Sequence, residues 1–87
     1  MKPEELVKIV AGQLTLDGWK RDQLGNTITH KDYPDSKIVL TYSGSQVQII
    51  GRHGDKSTTK YVTNSYNALI NVGLVLDFIR DNNVRLS

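Results

Sequence analysis

The chain has 87 residues and 9.8 kDa, with 38% hydrophobic and 23% charged residues and a mean hydropathy of −0.37. That length fits one compact domain, and the composition excludes a disordered or low-complexity chain. With no cysteine there is no disulfide, no thiolate zinc site and no cysteine nucleophile, and the net charge is a small +2.

Pro3 suits a first helical position, and Glu4 and Glu5 follow in the turn where the helix dipole favours anions. Leu6, Ile9, Val10 and Leu14 recur at helical spacing, which predicts an amphipathic helix over about 3–13, broken at Asp17-Gly18. From Trp19 to Val62 the pattern changes to short β-rich runs, punctuated by Gly25-Asn26, Pro34-Asp35, Gly44-Ser45 and Gly54-Asp55. The predicted strands are 19–23, 27–31, 37–43, 46–52 and 58–62. Trp19, just after a glycine turn, is expected to anchor the core. A long helix follows over about 65–82, with Asn64 or Ser65 as its N-cap. The predicted fold class is α+β: an antiparallel β meander of three to five strands, flanked by an N-terminal and a C-terminal helix, in two layers. Residues 1–87 are expected to form this single small domain.

The most apolar run, Ala68 to Ile79, is interrupted by Asn71 and Asp77 and is shorter than the roughly 20 residues that cross a bilayer. The start, Met1-Lys2-Pro3-Glu4-Glu5, lacks the apolar stretch of a signal peptide. A soluble, cytoplasmic protein without membrane contact is the expectation.

One hairpin can be registered from the residues. A two-residue type II′ turn at Gly44-Ser45 pairs Tyr42 with Val47, Leu40 with Ile49, Thr41 with Gln48 and Ser43 with Gln46. One face is then apolar and the other polar, whereas a one-residue slip would carry Gln46 and Gln48 into the core. Val39 and Ile50 form an apolar spot on the polar face.

Charge is unevenly spread. Residues 1–36 sum to −1, residues 37–64 to +3, and residues 65–87 to zero. The excess lies in Lys37, Arg52, Lys56 and Lys60, a bias that attracts nucleic acid or an acidic surface. The basic hairpin 51–60, with Arg52, His53, Lys56 and Lys60, is the candidate nucleic-acid contact. A meander brings the loops at 32–36 and 53–57 to one end, which gathers His30-x-Asp32, Asp35 and His53-x-Asp55 there with Lys31. Imidazole and carboxylate can bind a divalent metal or act as an acid–base pair, so a small metal-dependent nuclease or hydrolase at His30/His53 is an alternative. H-x-D is a short pattern that also arises in plain charged turns, so no catalytic or metal residue is assigned. The serines lack G-x-S-x-G, no phosphate-binding glycine motif is present, and no cofactor is implied.

Glu4-Glu5-Leu6-Val7-Lys8-Ile9-Val10, then Asp17-Gly18-Trp19, Gly25, and His30 followed by Pro34 and an apolar strand resemble the opening of HicA-type toxins. These are small RNases of toxin–antitoxin pairs with a double-stranded-RNA-binding-like α-β-β-β-α fold. The resemblance covers residues 4–40 and implies a related fold and an RNA partner. The family's catalytic histidine follows the glycine as Gly-Ser-His, whereas this chain has Gly25-Asn26-Thr27, so no catalytic residue carries over. The lysine cluster that opens the last helix of a double-stranded-RNA-binding domain is also missing from Ser65-Tyr66-Asn67-Ala68.

In the last helix, Ala68, Leu69, Val72, Val75, Leu76 and Ile79 fall within one arc, the natural core face. Ile70, Leu74 and Phe78 form a second stripe, which either lies under the first helix or stays bare as an interface. Two helices side by side on one sheet face leave it bare. The leading expectation is therefore a non-enzymatic protein–protein interaction module, homodimeric or bound to another protein through Ile70, Leu74 and Phe78. Its size also suits a phage or mobile-element inhibitor.

Overall fold

A computed structural model describes residues 2–22 and 27–83. The elements are α1 (Pro3–Leu16), β1 (Lys20–Arg21), β2 (Thr27–Thr29), β3 (Ser36–Ser43), β4 (Gln46–His53), β5 (Lys56–Val62) and α2 (Ser65–Asn83). The five strands form one antiparallel sheet in sequence order, with both helices packed on one face. The fold is α+β, as the element pattern predicts. The turn expected at Gly25-Asn26 and the end of the strand expected over 19–23 lie outside the described residues.

The β3–β4 hairpin has the register expected from its glycine: Tyr42 pairs with Val47, Leu40 with Ile49 and Lys37 with Arg52. Gly44 has φ +62, as a type II′ turn requires of its first central residue. A second two-residue turn, with Gly54 at φ +60, pairs His53 with Lys56, so β5 begins two residues before the predicted strand. Both glycines let strands with a strong right-handed twist reverse tightly.

Helix α1 ends where the Gly18 N–H donates to Thr15 and the Trp19 N–H to Leu14, each at 3.0 Å. These two bonds form a Schellman cap, which needs glycine in the left-handed region; Gly18 has φ +94. Helix α2 starts on Asn64: its Oδ1 accepts the Asn67 N–H at 2.9 Å, and Asn67 Oδ1 accepts the Asn64 N–H at 3.2 Å. This is a capping box with asparagine in the reciprocal position.

The core lies between the layers. It takes Leu6, Val7, Val10 and Leu14 from α1, and Ala68, Val72, Val75, Leu76 and Ile79 from α2. The sheet supplies Ile28, Ile38, Leu40, Val47, Ile49 and Val62, with Trp19 closing the end beside α1. Gly51 sets the distance between α2 and the sheet, because a Cβ there would lie 2.7 Å from Val75 Cγ1. Gly51→Ala is therefore expected to lower stability by about 1–3 kcal/mol through overpacking. In a Val75→Ala background the same change should be neutral, or stabilising by about 0.5–1 kcal/mol, since alanine orders more easily than glycine in a strand. Urea unfolding of the four proteins checks this. An equal loss in both backgrounds would show that Val75 is not the obstacle.

Candidate functional site

The two histidines reach one end of the sheet, where the Gly54 N–H donates to the Asp35 carbonyl at 3.2 Å and links the two turns. Their side chains nevertheless diverge. His30 stands edge-on to Trp19, with ring centroids 5.2 Å apart, and lies 4.9 Å from the Tyr33 ring. Its Nδ1 accepts the Asp32 N–H at 3.0 Å, and its Nε2 lies 2.9 Å from the Asp17 carbonyl. With Nδ1 accepting, the Nε2–H tautomer donates to Asp17 and satisfies both contacts. His53 turns instead to Ser36: Nδ1 and Oγ are 2.8 Å apart, and the same Oγ accepts an N–H from Asn83 at 3.1 Å. Among the described residues, no group of three His, Cys, Asp or Glu is placed to hold a metal ion.

The serine–histidine pair is absent from the sequence reading, which put Ser36 in a turn. Ser36 begins β3 and is buried, 4% exposed, directly opposite His53 in the ladder. A nucleophile needs substrate access, and this hydroxyl is covered. The pair joins the end of α2 to the β3–β4 hairpin.

Asp17 is the other polar node. One carboxylate oxygen accepts Trp19 Nε1–H at 3.1 Å, and the other accepts Arg80 at 2.8 Å. Hydrogen bonding to Tyr33 holds the Arg80 guanidinium above its ordinary pKa; burial opposes this, and the Asp17 charge adds a lesser upward effect. The Asp17–Arg80 bridge is half-exposed, so its own worth is about 0–1 kcal/mol. Its role is to fix α2 against the end of α1.

The basic hairpin divides. Arg52 points to the sheet face away from the helices, whereas His53, Lys56 and Lys60 stand on the helix side, since they share a face with Ile49 and Gly51. The four residues do not form one surface. Register instead aligns cations that are distant in sequence. Lys20 pairs with Thr29, and Lys37 with Arg52, which pairs in turn with Ser57.

On the helical layer, Phe78 leaves the expected stripe: it is half-buried, packs against the core and approaches the space above Gly51. Leu69, expected in the core arc, is exposed. The exposed set is Leu16 (83%), Tyr66 (85%), Leu69 (52%), Ile70 (64%) and Leu74 (44%). Between the helices runs an open groove lined by Leu16, Leu69, Val72, Gly73 and Leu76, with Gln13 and Asp17 at its polar margin. Gly73 contributes to its openness, because a Cβ there would touch nothing within 4 Å. No charged residue occurs from Ile9 to Leu16 or from Ser65 to Leu76. No helix among the described residues is long and apolar enough to cross a membrane.

Searches of known protein families, curated proteins and solved structures find no match to this chain.

Proposed function

We propose that this chain is a protein-interaction module that pairs with a second copy of itself through the first half of α2 and the end of α1. The observation that supports the reading is the uncharged helical surface bearing Leu16, Tyr66, Leu69, Ile70 and Leu74, all exposed. Large exposed apolar patches mark interaction surfaces, and depletion of charge distinguishes an interface centre from ordinary surface. A two-fold contact sets a patch against its own copy, so any charge near the axis would face its like. The five exposed apolar residues bring none, and Asp17, the one charged residue lining the groove, is paired with Arg80 of its own chain. The groove at Gly73 gives the ridge of Ile70 and Leu74 from the second copy a place to seat, and tyrosine at position 66 adds a large amphipathic anchor.

Light scattering is expected to give twice the 9.8 kDa chain mass. Ile70→Glu with Leu74→Glu should give a monomer whose circular dichroism and melting remain those of a folded protein, because both side chains already face solvent. A wild-type monomer at the highest soluble concentration would overturn the reading. So would a dimer that survives the double substitution.

A further inference from the structure

The opposite surface, the sheet face that carries no helix, has three parallel rows. The first crosses the strands through Lys20, Thr29, Lys37, Arg52 and Ser57. The second holds Thr27, Val39, Ile50 and Thr59. The third is a bonded ladder in which Thr41 donates to Gln48 Oε1 at 2.8 Å and Gln48 Nε2 donates to the Tyr61 hydroxyl at 3.0 Å. We propose that this face is a binding site for single-stranded nucleic acid, with phosphates on the cationic row and bases on the aliphatic row and Tyr61.

Lys37 and Arg52 stand directly opposite one another in the two longest strands, and like charges so placed repel. Neither forms a salt bridge among the described residues. Lysines often protect sheet edges from aggregation, but β3 and β4 are interior strands, so that purpose does not explain the pair. With Lys20, the row spans about 15 Å at the usual spacing between strands. Two open recesses meet at Thr29, one lined by Lys20, His30 and Lys31, the other by Lys37 and Arg52. Asp35 is the sole carboxylate lining either.

Phosphates alone would suit a duplex equally well. The neighbouring rows decide for unpaired bases: Val39 and Ile50 are half-buried aliphatics, and Tyr61 is half-exposed at the end of a hydrogen-bonded ladder. Apolar and aromatic surface beside a cationic track accommodates splayed bases, which a duplex keeps stacked inside.

Fluorescence anisotropy with a labelled single-stranded RNA of roughly 12 nucleotides tests this at low salt. Three or four phosphate contacts predict a slope of about −2 to −3 in log affinity against log salt. Lys37→Glu with Arg52→Glu should reduce affinity at least about tenfold, while Lys56→Glu with Lys60→Glu, on the other face, should change it less than about twofold. Tyr61→Ala should weaken binding about fivefold or more. The first pair exchanges one like-charge contact for another, so its melting temperature should stay close to that of the parent. No binding, equal losses in the two charge pairs, an equal affinity for duplex, or equally effective competition by polyglutamate would overturn the proposal.

Discussion

Trp19→Ala is expected to lower the unfolding free energy by about 3–5 kcal/mol. A domain of this length commands about 4–13 kcal/mol in total, so the variant should be largely unfolded at moderate temperature. Trp19 is 1% exposed and is the largest fully buried side chain. It stacks on Tyr33 at 5.8 Å between ring centroids and an interplanar angle of 18°, and it receives the edge of His30. Its indole N–H donates to Asp17, the residue that also receives Arg80. Alanine therefore opens a cavity at the junction of α1, β1 and the turn after β2, and removes a hydrogen bond that orients the bridge to α2. Far-UV circular dichroism during urea unfolding measures the loss, since the variant has no tryptophan to follow. Trp19→Phe keeps a ring for stacking and should lose clearly less. A loss below about 1 kcal/mol for Trp19→Ala would mean that the corner repacks and that the rings do not hold it.

The sequence was most legible where local chemistry and the hydrophobic pattern agreed. Gly44 fixes a two-residue turn, and alternation over 37–50 leaves a single sensible register, which the β3–β4 ladder follows. The start of β5 was less legible. Lys56, Ser57, Thr58 and Thr59 form an edge strand whose only buried residue is Val62, so hydrophobicity does not announce it. The helical wheel of α2 identified two apolar stripes but misplaced Leu69 and Phe78. What draws Phe78 inward is the space above Gly51, a feature of another strand that no periodicity within the helix reveals. The Lys37–Arg52 pair was implicit in the hairpin register. Adding Lys20 to it needs the pairing of two very short strands, and their residues carry no such signal. The separation of His30 from His53 was hidden for a similar reason. Shared location at one end of the sheet follows from topology, but the direction of each ring follows from Asp17 and Asp32 in one case and Ser36 in the other.

Gly18→Ala should destabilise the fold by about 2–4 kcal/mol, through two separable causes. The first is backbone: φ of +94 lies in the region that L-residues enter at a cost of about 1–2 kcal/mol. The second is steric: a Cβ on residue 18 would lie 2.7 Å from His30 Nε2. A free imidazole would swing aside, but His30 is bonded through both ring nitrogens and lies against Trp19 and Tyr33. Moving it breaks the contact to the Asp17 carbonyl and disturbs the stack on which the corner depends. His30→Ala separates the two causes. In that background Gly18→Ala should lose only the backbone part, about 1–2 kcal/mol, while Gly18→Asn in the wild type should keep the steric part because it carries the same Cβ. Thermal or urea unfolding of the set gives the coupling directly. If Gly18→Ala loses as much without the imidazole as with it, His30 does not confine the glycine, and the left-handed cap alone accounts for its place between Asp17 and Trp19.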